Sequence, residues 1–203
     1  SWTDIGERFS RGGSAASVNA LITLPNGEIV AGGRFSRTGD LPVTDVVRWD
    51  GSAWNAYAPL NGSAVNALAF YNGELVIGGD FQSSGATVLN SIAHWDGAAW
   101  QPFGTGLDNT VNALDVAPNG ELVAVGEFSR IVGGLPTNLV VRRGPAGWIT
   151  MSGQLNAYVH AVVTMPNGDI VVGGQFDNQI LRHVARWNGT SWSAIGGGVD
   201  DDV

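Results

Sequence analysis

The chain has 203 residues, enough to bury a sizeable core as one domain, with 30 glycines and only 14% charged residues, well below the usual quarter or so. It contains no cysteine, so neither a disulfide framework nor a thiolate metal site is available. Lysine is also missing, and the net charge of -8 gives no general footprint for nucleic acid or an anionic membrane surface.

Ser1-Trp2-Thr3-Asp4-Ile5-Gly6 is matched almost residue for residue by Ser191-Trp192-Ser193-Ala194-Ile195-Gly196, so residues 1–6 read as the last strand of a preceding unit. A polar, glycine-rich connection runs from Glu7 to Ser17. Four complete units then span 18–57, 65–104, 111–152 and 159–196, and 197–203 begins a connection to a further one. Each unit opens on an apolar strand with a polar second position: Val18-Asn19-Ala20-Leu21, Val65-Asn66-Ala67-Leu68, Val111-Asn112-Ala113-Leu114 and Val159-His160-Ala161-Val162. Asn26-Gly27, Asn72-Gly73, Asn119-Gly120 and Asn167-Gly168 turn it back, because Asn and Gly tolerate the positive φ of tight hairpins. The second strand, Ile29-Val30-Ala31 or Leu75-Val76-Ile77, is continuously apolar and must be covered on both faces.

A loop of variable length leads to a third strand over Val46 to Trp49, Ile92 to Trp95, Leu139 to Arg143 and Val184 to Trp187. An Asp-Gly or Asn-Gly turn follows, and the fourth strand carries Trp54, Trp100, Trp148 or Trp192. In the third unit Arg143 and Gly144-Pro145 replace the Trp and the Asp-Gly, so a less regular and more exposed outer hairpin is expected there. Asn61-Gly62-Ser63 and Asn188-Gly189-Thr190 match the glycosylation acceptor pattern, but both read as turns.

The phenylalanines that close the second strands, Phe35, Phe81, Phe128 and Phe176, lie 46, 47 and 48 residues apart, within the span of a propeller blade. Four antiparallel strands per unit, none able to cover its own two apolar faces, stack around an axis. The expected fold is therefore an all-β β-propeller of four complete four-stranded blades plus an extra N-terminal strand, part of a larger propeller or array. Trp49, Trp54, Trp95, Trp100, Trp148, Trp187 and Trp192 are expected to wedge neighbouring blades together, each burying on the order of 200 Å². Gly33, Gly79, Gly126 and Gly174, the second glycine of each doublet, recur in every unit while the first becomes Val125 in the third, so close backbone approach is expected at the second position.

Motifs such as Ile77-Gly78-Gly79-Asp80-Phe81 and Trp95-Asp96-Gly97-Ala98-Ala99-Trp100 resemble the kelch-type propeller repeat. They are more similar still to bacterial GGxF…WDGxxW repeats of large secreted and surface proteins. The resemblance covers essentially the whole chain and implies the propeller fold and an extracellular or cell-surface location.

Chemistry-bearing residues do not converge in the sequence. His94 shares a polar third-strand slot with Arg48, Arg142 and Arg186 and reads as an exposed strand residue. His160 replaces an inner-strand Asn that is placed to bond to a neighbouring blade, and His183 ends a loop. No catalytic set, metal site or cofactor site is expected, and the Asp200 to Asp202 run reads as a solvated linker. Arg34, Asp80, Glu127 and Gln175 occupy one recurring slot with four different chemistries, the way a fixed frame presents a variable ligand-facing rim.

These features point to a non-catalytic extracellular module for protein interaction, adhesion or scaffolding. A carbohydrate-binding propeller using exposed Trp54 and Trp100 is the second reading, and a fragment of a kelch-like secreted enzyme the third. The expected partners are a protein or glycan, and further blades or another copy of the chain. Nucleic acid is not expected, nor is membrane insertion, since no apolar run approaches the roughly 20 residues a spanning helix needs.

Overall fold

The second strand of each unit is apolar on both faces, and in the computed structural model each is the centre of a four-stranded antiparallel sheet. The structure describes residues 8–199 apart from 135, 152, 154 and 179. The strand expected at 1–6 and the run from Asp200 lie outside the described residues. The first sheet orders Ser17–Thr23, Ile29–Arg34, Val46–Trp49 and Trp54–Ala56 as a simple meander. The second follows with Asn61–Tyr71, Glu74–Ser84, Ile92–Trp95 and Trp100–Pro102, extended by a short Thr87–Val88 edge. The third has Val111–Val116, Leu122–Gly126, Val140–Gly144 and Gly147–Thr150, and the fourth Val159–Thr164, Ile170–Asp177, Arg182–Trp187 and Trp192–Ala194.

The inner strands set the order of the stack, the second sheet's lying against the first sheet and the third's lying between those of the second and fourth. One side chain per sheet links them. The register shifts by one residue at Asn19, Asn66, Asn112 and His160, and at the three asparagines this bulge turns the polar side chain toward the next inner strand. Asn19 Nδ2 donates to the Val65 carbonyl (3.3 Å), Asn66 to that of Val111 (3.2 Å) and Asn112 to that of Val159 (2.9 Å). These rungs satisfy carbonyls on inner strands that pair with the second strand on one edge and have no ladder partner on the other.

Between the sheets lie separate apolar seams. Ile77, Phe81, Leu89 and Trp100 fill the first, Phe128, Leu107 and Leu122 the second, and Phe176, Met151 and Leu181 the third. The fourth-strand Trp pairs directly with the third-strand Trp of its own sheet, Trp95 with Trp100 at 5.0 Å and Trp187 with Trp192 at 5.4 Å. It also reaches the preceding sheet: Trp100 Nε1 donates to the Ala58 carbonyl at 3.0 Å, and its ring lies 5.3 Å from that of Tyr57. At Gly33, Gly79, Gly126 and Gly174 a Cβ would lie only 2.0, 2.2, 2.1 and 2.2 Å from the carbonyl oxygens of Ser17, Ala64, Thr110 and Tyr158. Only a residue without a side chain fits there.

Three local expectations change. The outer hairpin of the third unit is regular and one pair longer than its counterparts: Arg143 faces Trp148 and Gly144 faces Gly147, with Pro145-Ala146 as a two-residue loop. Proline fixes its own φ and Gly147 takes φ +129, so the missing Asp-Gly is replaced by a different turn. Asn61 and Gly62 lie inside a strand rather than a turn, where a Cβ on Gly62 would meet the Asp80 carbonyl at 2.3 Å. In the polar run after Glu7, Phe9–Ser10 pairs with Arg37–Thr38, which pairs with Leu41–Pro42, and this small sheet sets Phe9 on Phe35 (4.6 Å) and Trp54 (5.2 Å).

A residue at the start of each third strand adopts a left-handed conformation: Asp45 at φ +59, Ser91 at +65 and Leu139 at +66 just before the strand, and His183 at +58 as the second residue of Arg182–Trp187. Its carbonyl accepts from the second glycine of the doublet in the first three units, as in Gly33 to Asp45 at 2.8 Å. Asp45 is also buried and accepts the Phe35 N–H at 2.9 Å. Burial raises its carboxyl above the ordinary value, opposed by that hydrogen bond and by Arg11 and Arg34. Such a group contributes most below its unfolded pKa of 3.8, and the contribution is lost as pH rises through the native value. Asp45→Asn keeps the acceptor and tolerates the positive φ while removing the buried charge. It is expected to raise the urea midpoint at about pH 7 and leave it unchanged at about pH 3.

Candidate functional site

An acid stands at the entry to each second strand, next to the Asn-Gly turn, and the third strand carries an Arg or His opposite the residue two places on, as Arg48 faces Val30. That diagonal brings an acid and a basic side chain together in every sheet. Arg142 meets Glu121 at 2.8 Å, Arg186 meets Asp169 at 2.5 Å, His94 Nδ1 meets Glu74 at 2.6 Å, and Arg48 stands 3.7 Å from Glu28. His94 is thus a partly buried member of a repeated acid–base pair and not a free strand residue. The sequence held both halves, since Glu28, Glu74, Glu121 and Asp169 recur as regularly as the Arg and His side chains they meet.

The Arg48–Glu28 pair is the loosest of the four and borders a groove. This groove, about 560 Å³ between the first and second sheets, is lined by Glu28, Arg48, Tyr57, Glu74 and Trp95. The Arg48 guanidinium lies 5.9 Å from the centre of the Tyr57 ring, and burial pushes the Tyr57 hydroxyl up to about 12. The matching groove between the second and third sheets, about 300 Å³, is lined by Glu74, His94 and Phe103 from the second unit and by Arg143 from the third. Tyr71 closes part of it by donating its hydroxyl to the Arg143 carbonyl at 3.1 Å.

The outer turns also use their polar groups internally. Asp50 accepts from the Ser52 and Ala53 N–H groups, Asp96 from those of Ala98 and Ala99, and Asn188 from those of Thr190 and Ser191. Backbone bonds first, then side-chain donors, hold the Asp50 carboxyl well below its usual range, and Asp96 is lowered for the same reason.

Arg34, Asp80, Glu127 and Gln175 each follow the close-approach glycine of their sheet: Arg34 ends its second strand, Glu127 comes just after the end of its own, and Asp80 and Gln175 lie inside the longer strands Glu74–Ser84 and Ile170–Asp177. Arg34, Asp80 and Gln175 are exposed and Glu127 is half-buried. Ser63 donates its hydroxyl to the Asp80 carboxylate. The histidines do not meet: His160 lies beside Asn112 at 3.3 Å, His183 Nδ1 lies 3.1 Å from the Gly174 carbonyl, and His94 is held by Glu74. Among the described residues no three His, Asp or Glu side chains cluster closely enough to hold a metal ion.

The tryptophans occupy graded environments. Trp100 is 1% exposed and Trp187 is buried, while Trp49, Trp54, Trp95, Trp148 and Trp192 are half-buried. A sugar cannot stack on Trp100, so that part of the carbohydrate expectation is corrected. The phenylalanines Phe35, Phe81, Phe128 and Phe176 are all buried, as are the second glycines.

No protein-family model and no curated protein sequence matches the chain. Solved structures do. A protein of unknown function from Dyadobacter fermentans aligns at 16% identity and TM-score 0.57, over 93% of this chain and 70% of its own. YCF48 in complex with a D1 peptide aligns at 16% identity and TM-score 0.51, over 88% of this chain. The aligned part is 53% of the YCF48 chain, so this chain spans about half that length. At such identities the likeness gives the fold, which is all-β and propeller-like.

Proposed function

We propose that the chain is a non-catalytic, extracellular β-propeller segment of the kelch-like kind that binds a protein partner as an interaction, adhesion or scaffolding module. One observation carries this reading: the polar groups that recur from unit to unit are engaged inside the fold. Inner-strand Asn side chains bridge the sheets, strand-entry acids meet third-strand Arg or His side chains, and turn Asp or Asn side chains hold the outer hairpins. Side chains left at the rim differ in every unit, from Arg34 to Asp80, Glu127 and Gln175. A fixed frame with a variable rim separates folding from recognition, so the rim can change without loss of the core. The fold suits this use, since YCF48 holds a peptide.

The test is selection of displayed peptides against the immobilised chain, followed by Asp80→Ala and Glu127→Ala variants of it. Selected peptides are expected to lose about tenfold in affinity or more, roughly 1.4 kcal/mol, with the melting temperature unchanged. Peptides whose affinity is indifferent to both substitutions would count against the rim as the recognition surface. Turnover of a substrate by the purified chain would refute the non-catalytic reading.

A further inference from the structure

The third outer hairpin differs from the other three at two neighbouring positions, and both differences bear on charge. Arg143 faces Trp148 where Trp49, Trp95 and Trp187 face Trp54, Trp100 and Trp192. Gly144 stands where Asp50, Asp96 and Asn188 accept the N–H groups of their own turns. One hairpin thus carries a guanidinium beside the place where it lacks a polar acceptor.

That guanidinium is positioned without being neutralised. It lies 5.6 Å from the centre of the Phe103 ring, which belongs to the second unit, and 5.7 Å from that of Trp148. Among the described residues Arg143 makes no ion pair. The carboxylates that border its hairpin have other partners: Glu74 meets His94 at 2.6 Å, and Glu121, which lies against Gly144, meets Arg142 at 2.8 Å. Contact with aromatic rings orients a guanidinium and leaves N–H groups free, and their fork matches a carboxylate with two parallel bonds.

Arg143 borders a hollow of about 390 Å³ together with Gly104, Thr105, Ile131, Trp148 and Thr150. Among the described lining residues none is acidic and Arg143 alone is charged. The Trp148 indole N–H has no acceptor among the described residues, whereas that of Trp100 has the Ala58 carbonyl.

We propose that this hollow binds a peptide, a carboxylate of the peptide pairing with Arg143 and an adjacent apolar side chain resting on Ile131 and Trp148. A peptide fits better than an acidic sugar, because Thr105 and Thr150 are the only neutral polar side chains in the lining, too few to meet the hydroxyls of a sugar ring. A phosphate dianion is opposed by Glu74, which lines the smaller groove that Arg143 also borders. None of Arg34, Asp80, Glu127 and Gln175 lines either hollow, so this site stands or falls separately from recognition at the rim.

An NMR titration of the chain tests this, with the Trp148 indole N–H and the Arg143 Nε–H as reporters. The probe is the acetylated, amidated dipeptide leucyl-aspartate, with its asparagine counterpart as control. Saturable shifts of both reporters are expected, with a Kd on the order of 1 mM for the aspartate form and at least about tenfold weaker binding of the asparagine form. Arg143→Gln, checked for folding by its melting curve, is expected to weaken binding of the aspartate form by about the same factor, and Arg143→Lys, which keeps the charge without the fork, by less. No saturable shift up to on the order of 10 mM, or equal binding of the two dipeptides, would overturn the inference. Both results are read on the unsubstituted chain and hold whether or not a variant folds. Tighter binding of glucuronate or inorganic phosphate than of the dipeptide would overturn the assignment to a peptide.

Discussion

Trp100→Ala is expected to cost about 3–5 kcal/mol, the range for removing a large aromatic from a packed interior. Trp100 is the largest fully buried side chain in the described structure. Its ring touches Trp95 within its own sheet and Tyr57 of the sheet before it, and its N–H satisfies the Ala58 carbonyl. Truncation therefore opens a cavity and also leaves a carbonyl without its donor. Trp54→Ala removes the equivalent residue where the neighbour is only the small Phe9 sheet and where the ring is half-buried, so its cost is expected to be clearly smaller. Urea unfolding of the two variants checks this, and equal losses would mean that the tryptophans do not join one sheet to the next.

Gly79→Ala is expected to be as damaging, at about 4 kcal/mol or more, the exceptional end for a single substitution. The new methyl would lie 2.2 Å from the Ala64 carbonyl oxygen and 3.0 Å from the Val65 Cα, and backbone on both sides cannot swing away. Its neighbour gives the contrast. A Cβ on Gly78 would meet the Val111 Cγ1 at 2.5 Å, a side chain across the seam, and the third sheet accommodates Val125 at the same place. Gly78→Ala is expected to cost about 1–3 kcal/mol, as overpacking does when neighbours can shift. Chemical denaturation of both variants measures the difference, and a Gly79→Ala protein as stable as Gly78→Ala would show that the inner and second strands are farther apart than described.

Much of this was legible in the sequence because it depends on short-range pattern. Continuous apolar runs mark strands covered on both faces, and Asn-Gly marks the hairpins, although three of the four hairpins insert a proline and only Asn72-Gly73 has both residues at positive φ. The invariance of the second glycine against the Val125 exception pointed to the backbone contact. What escaped depends on register or on distant partners. The pairing of Glu121 with Arg142 follows only once the loop between the strands is fixed, and that loop varies in length. Phe9 is an isolated aromatic in a polar run, and nothing local says that it lies on Phe35 and Trp54. The left-handed residue at the start of each third strand is Asp, Ser, Leu or His, so no residue type announces it. The third outer hairpin departs from expectation because Gly144-Pro145 replaces the Asp-Gly turn with a different one and does not abolish it.

The candidate rim was legible for a different reason. Arg34, Asp80, Glu127 and Gln175 stand beside residues that the backbone and the seams require, and their variation shows against that constant background. The grooves between sheets were not legible, because each is shared by side chains from two units: Arg48 and Tyr57 from one, Glu74 and Trp95 from the next.

The claim beneath all of these is that consecutive sheets meet through the fourth-strand Trp of one and the chain leaving the other. Nuclear Overhauser effects from the Trp100 indole N–H test it most directly. Strong cross-peaks to Ala58 and to the Tyr57 ring, with slow exchange of that indole proton, are the expected result. An indole proton that exchanges freely with water and shows contacts only within its own sheet would contradict the account.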